Sequence, residues 1–165
     1  MPNRRSAALW LMGTAVLGGC GWRLRGATEL PFERIALEGF APRSPLAEEL
    51  KRALAQSAEV VSDPARAQVV LHALNDKRER GVVASTAFGQ VRELTLRVRL
   101  EFRLATPGGR ELIPATELLL SRDMSYSETL ALAKEYEEAQ LLRAMQSDIV
   151  AQLMRRLARV KNVAG

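Results

Sequence analysis

Residues Val91 to Ala105 alternate almost without a break. Leu94, Leu96, Val98, Leu100, Phe102 and Leu104 take every second position, with Thr95, Arg97, Arg99, Glu101 and Arg103 between them. Successive side chains of a strand point to opposite faces of the sheet. The pattern therefore predicts one long strand with a leucine face in a core and an arginine face in a polar setting. A helix would scatter these leucines around its axis. The chain must supply a sheet, and a covering layer for one side of it.

The flanking sequence supplies both. Thr106-Pro107-Gly108-Gly109 is a turn signal, after which Arg110 to Met124 returns as a second strand. Pro114 inside it points to a sheet edge or a bulge. Upstream, Ala67 to Arg78 carries the apolar run Val69-Val70-Leu71, and Arg34 to Glu38 forms a short β-like run around Ile35 and Leu37. Asp63-Pro64 breaks the chain ahead of the longer run. Between these strands, Ser44 can cap a helix that has Pro45 at its first position. That helix is expected over Pro45 to Ala58, with Leu46, Leu50, Ala53 and Leu54 on one face. A long helix is expected from Thr129 to Val160, where Leu142, Met145, Ile149, Leu153, Leu157 and Val160 recur every three or four residues. Ser125 and Ser127 are its candidate caps, and Arg155, Arg156, Arg159 and Lys161 crowd its C-terminal end, where the helix dipole favours cations. The predicted fold is α+β, ordered β-α-β-β-β-α. It has a four-stranded mixed sheet, in which the first helix crosses between parallel strands and the later strands form a meander. Both helices cover one face.

The first residues follow different rules. Arg4 and Arg5 give a basic start, Ala7 to Leu17 an apolar stretch, and Leu17-Gly18-Gly19-Cys20 a small-residue cleavage site. The apolar stretch falls short of the roughly 20 residues that a bilayer span needs. The form is that of a lipoprotein signal peptide over residues 1–19, with Cys20 as the lipid-bearing first residue of the mature chain. Gly21, in place of an aspartate, points to transfer to the outer membrane. Several acyl chains make a stable anchor. Residues 20–33 are expected to be a tether and residues 34–165 a single α+β domain. Cys20 is the only cysteine, so no disulfide can form within one chain.

The chain of 165 residues is 47% hydrophobic, enough for one core, but only 5% aromatic, so that core must be mainly aliphatic. Its formal charge of +5 falls to +3 once Arg4 and Arg5 leave. Nucleic acid is a poor partner for an exported lipoprotein. No nucleophile elbow or phosphate loop occurs. The single histidine, His72, lies in a strand-like apolar run and reads as a satisfied half-buried residue. One histidine and one acylated cysteine make no typical zinc site. Neither an enzyme, nor a metal, nor a cofactor is expected.

Three features carry a resemblance. They are Cys20-Gly21-Trp22-Arg23-Leu24-Arg25-Gly26, the element order, and Leu130-Ala131-Leu132-Ala133-Lys134-Glu135 leading into a helix with Met145, Asp148, Gln152 and Arg155-Arg156-Leu157. In these the chain resembles the lipopolysaccharide-assembly lipoprotein family LptE, formerly rare lipoprotein B. The resemblance implies a non-enzymatic, periplasm-facing outer-membrane lipoprotein. Such a protein plugs the LptD β-barrel, assists its assembly and binds lipopolysaccharide. It also implies lipid contacts by basic residues in two places. Lys134 matches the one before the last helix. In the other, the loop Gly81 to Gln90 has no basic residue, and Arg92 just beyond it is the substitute. Read as an ordinary surface residue, Lys134 would pair with Glu138 one turn on. Arg97, Arg99 and Arg103 form either a solvated face or a surface for a partner. A lipid-binding or lipid-sensing lipoprotein without a barrel partner is the alternative reading, and a periplasmic hydrolase ranks below it.

Overall fold

The computed structural model describes residues 28–161 and 163. The expected signal peptide, Cys20 and the tether up to residue 27 lie outside the described residues. The described elements are β1 (Arg34–Glu38), α1 (Pro45–Leu54), β2 (Glu59–Val61), a 3-10 turn (Pro64–Arg66), β3 (Val69–Ser85), β4 (Val91–Ala105), β5 (Glu111–Ser125), a second 3-10 turn (Glu128–Leu130) and α2 (Ala131–Leu157). They form one mixed sheet in the order β2-β1-β3-β4-β5. β1 is parallel to both β2 and β3, and β3, β4 and β5 form an antiparallel meander.

The sheet has five strands, one more than expected. The added one, β2, is only three residues long. It exists because α1 stops at Leu54 rather than Ala58. The freed chain then turns so that Val60 and Val61 pair with Ile35 and Ala36. Other expectations hold in detail. The Ser44 hydroxyl accepts from Ala47 N at 3.1 Å, with Pro45 opening the helix. Leu46, Leu50 and Leu54 are buried on its inner face. β5 is an edge strand, and Pro114 sits where its register against β4 shifts, between Thr116↔Phe102 and Ile113↔Leu104. Proline is tolerated there because it has no N–H to give to a ladder.

All six apolar side chains of β4 from Leu94 to Leu104 are at most 1% exposed. They pack with Met145, Ile149, Leu153 and Leu157 of α2, the inner face of α1, and Ile35, Val69 and Leu71. The described part of the tether reaches this core as well: Phe32 is buried and Leu30 packs against the cluster. On the opposite face a small cluster of Ala36, Val61, Ala67 and Val70 is buried.

Helix α2 enters differently from expectation. Ser125 and Ser127 do not cap it. Leu130 holds the cap position with no side-chain bond. The Ser127 hydroxyl instead pairs with Thr129 Oγ1 at 2.9 Å, and Ser125 receives Lys134. Further along, Gln146 is buried and ties three elements together. Its amide oxygen accepts from Arg78 of β3, and its amide nitrogen donates to the Pro45 carbonyl of α1 at 3.0 Å and to Glu49. At the end of β1, Gly39 adopts φ +78° close against the Ala73 carbonyl, where β3 bulges.

β3 runs to Ser85, well past the expected Arg78. Its 17 residues span about 56 Å at ~3.3 Å per residue, and they give the domain two distinct ends. The base holds the starts of β1 and β3, the β4–β5 turn and the C-terminus of α2, where Arg110 Nη2 donates to the Val163 carbonyl at 3.3 Å. The tip holds the β3–β4 hairpin and the start of α2.

Candidate lipid-recognition site

The tip gathers both residues that the resemblance singles out. Arg92 lies near the start of β4, where Tyr126 N, just past the end of β5, donates to the Arg92 carbonyl at 2.8 Å. Its side chain is exposed and has no ion pair among the described residues. Lys134 lies in the first turn of α2, with its side chain 16% exposed. Its Nζ donates to Ser125 Oγ at 3.0 Å and to Glu137 Oε2 at 2.8 Å. The partner is thus Glu137, three residues on, and not Glu138. Glu138 is taken by Arg80 of β3 at 3.4 Å, whose guanidinium stands 5.7 Å from the centre of the Tyr126 ring. Sequence reasoning missed Arg80 and Tyr126. Period-two parity from Val69, Leu71 and Ala73 would put Arg80 on the open face; the bulge between Ala73 and Asn75 shifts the strand so that Arg80, opposite Leu96, comes to the helix side, and no signal in the sequence marks that bulge.

These contacts divide the chemistry between the two cations. Lys134 is held and largely neutralised. Arg92 presents an unspent planar fork of donors, which suits a phosphate. Beside it, Gln90, Val91 and Arg92 face Ser127, Glu128 and Thr129 across a recess of about 140 Å³. The same end of the domain carries exposed apolar side chains: Phe88 is 94% exposed and Leu132 84% exposed, and Val82, Val83, Leu130 and Tyr136 are also exposed. Cation and bare apolar surface together match the two halves of a phosphorylated amphiphile.

The open face of the sheet is not an anion site. Arg97, Arg99 and Arg103 share it with Lys77, but also with Glu79, Glu101, Glu117 and Asp123 by cross-strand register. Arg99 Nη1 donates to Glu117 Oε2 at 2.8 Å, and Arg97 stands between Glu79 and Ser121. The four cations of this face are therefore matched by four anions on the same face. Towards the base, Arg103 and His72 border an open cleft of about 660 Å³ floored by Val70 and Ala105. His72 is half-buried, with Nδ1 3.1 Å from Glu38 Oε2. Among the described residues, no group of three His, Cys, Asp or Glu could hold a metal ion, and no helix is long and apolar enough to cross a membrane.

A mixed sheet with both helices on one side and a charge-balanced open face defines a two-layer α+β scaffold. The chain belongs to the LptE, lipopolysaccharide-assembly, family, whose sequence profile matches residues 32–157. A relative named LPS-assembly lipoprotein LptE in Yersinia enterocolitica is 29% identical, covering 96% of this chain and 81% of its own. The solution structure of lipoprotein B from Nitrosomonas europaea superposes with a TM-score of 0.69 at 31% identity, over 84% of this chain and 90% of that one. The rare lipoprotein B of Shewanella oneidensis shares the fold, with a TM-score of 0.59 at 22% identity over 76% and 94% of the two chains.

Proposed function

We propose that the mature protein is an outer-membrane lipoprotein, acylated at Cys20, that faces the periplasm and acts as plug and assembly factor of the LptD β-barrel. In this reading it serves lipopolysaccharide transport to the cell surface and contacts the lipid through Arg92 and Lys134. It is a binding protein, not an enzyme. The observation that carries the reading is the family match across nearly all of the folded domain. The balanced charge of the open face supports it, because a plug inside a polar barrel lumen meets water and polar side chains on that face. So does the tip, with a free arginine beside exposed apolar side chains.

The test is purification of the tagged full-length lipoprotein from membranes in mild detergent. A stoichiometric large β-barrel protein should co-purify. Recovery of the lipoprotein alone, with lipopolysaccharide but without a barrel, would replace the plug by a lipid carrier.

A further inference from the structure

Charge is unevenly distributed along the long axis. On α2 and its flanks, Glu128 to Arg143 holds four anions and two cations, whereas Asp148 to Lys161 holds one anion and four cations. The base collects these cations, Arg155, Arg156, Arg159 and Lys161, with Arg66 and Arg110 on the sheet side. Glu33, Glu59, Asp63 and Glu111 lie at the same end. Even so, none of the five ion pairs found among the described residues includes Arg66, Arg155, Arg156, Arg159 or Lys161. Part of the cluster answers the negative end of the helix dipole. Arg66 lies on another element, and Lys161 lies beyond the last helical turn, so the dipole does not account for the whole.

The chain also enters the fold near this end. Thr28 to Glu33 leads into β1, where Arg34 pairs with Glu59 at the base. Seven residues, 21–27, separate Cys20 from Thr28, at most ~28 Å of extended chain. They carry two more cations, Arg23 and Arg25, and no anion. The cationic end is therefore the end that the anchor holds close to the bilayer.

We infer that, in the lipoprotein not yet joined to its barrel, the base of the domain seats on the anionic phospholipid headgroups of the leaflet that holds its acyl chains, which stands the long axis away from the membrane plane with the tip outermost. Clusters of arginine and lysine next to a membrane anchor are drawn to anionic lipid within a Debye length. The inference rests on the Cys20 anchor and leaves the Arg92 end free for its own ligand.

The experiment uses the full mature lipoprotein, with its acylation checked by mass. Since Cys20 is blocked by lipid, Gln56→Cys at the base and Ala87→Cys at the tip each offer a single thiol for a fluorophore. Each labelled protein is placed in phosphatidylcholine vesicles with or without phosphatidylglycerol, and quenching by neutral acrylamide is read. Phosphatidylglycerol should shield the base label about twofold more than the neutral lipid does, reversibly with salt, and leave the tip label unchanged. Combining Arg155→Gln, Arg156→Gln and Arg159→Gln should abolish the difference. Equal shielding in both lipids, insensitivity to salt, or stronger shielding by lipopolysaccharide than by phosphatidylglycerol would overturn the inference. The lipid and salt comparisons need no variant of the cluster, so they hold even if the triple variant folds poorly. A protein recovered without acyl chains would instead defeat the anchor reading, and flotation of that same chain with the two kinds of vesicle would still read the base.

Discussion

Lys134 Nζ donates to Glu137 Oε2 at 2.8 Å within the first turns of α2, while Arg92 across the tip has no ionic partner among the described residues. The two cations are thus unequal as ligands for an incoming phosphate. Arg92→Gln should weaken lipopolysaccharide binding about three- to tenfold, of order 1 kcal/mol as for one exposed charge contact. Lys134→Gln should weaken it less. Reversal of both to Glu should weaken it most, and the loss should shrink at high salt. Binding isotherms at two ionic strengths check the ranking; a larger effect at Lys134 would move the site towards α2.

The N-terminal prediction is chemical. Mass spectrometry of the mature protein should find an acylated peptide beginning at Cys20. Cys20→Ala should abolish lipid attachment while the folded domain keeps its circular dichroism. An unmodified Cys20 inside a chain cut elsewhere would remove the anchor.

Leu100 is wholly buried on the helix face of β4, whereas Thr95 lies on the open face, where its hydroxyl meets Ser121 Oγ at 3.2 Å. Leu100→Ala should cost about 2–5 kcal/mol, as for a core leucine whose cavity cannot fully collapse. Thr95→Ala should cost well under that, because it loses one exposed hydroxyl contact. Equal losses in denaturant unfolding would refute the assignment of faces.

Gly39 combines two constraints. Its positive φ costs an L side chain roughly 1–2 kcal/mol. A Cβ built there would also fall inside contact distance of the Ala73 carbonyl. Gly39→Ala should therefore destabilise the domain by more than the backbone strain alone. A thermal midpoint equal to wild type would mean that β3 yields freely at its bulge.

What could be read from sequence tracks how strongly one local rule acted. β4 was legible because its eleven residues from Leu94 to Leu104 obey a single period and both sides of the strand have a fixed setting. The Ser44-Pro45 start of α1 was legible because capping is local chemistry. β2 was not: three residues carry no period, and only the neighbouring Ile35 and Ala36 make them a strand. The far half of β3 was hidden for a related reason. From Lys77 to Arg80, and again at Val82 and Val83, it is exposed, and it stays extended by pairing with β4 rather than by burying one face. At the tip, sequence placed Lys134 and Arg92 as candidates through resemblance. It could not show that Glu138 belongs to Arg80, because that pair joins elements far apart in the chain.

The knot at Gln146 bears on when this protein can fold. Its partners Arg78, Glu49 and Pro45 lie 68, 97 and 101 residues earlier. The helix that carries it also supplies Met145, Ile149, Leu153 and Leu157, without which the leucine face of β4 stays open to water. Contacts so distant along the chain form slowly, because the loop must close before they repay its entropy. A chain threaded through a translocation pore from its N-terminus must remain unfolded until it emerges. If this chain is exported as proposed, the segment that completes the structure is also the last to cross, so the order of its elements delays folding until the chain has reached the far side.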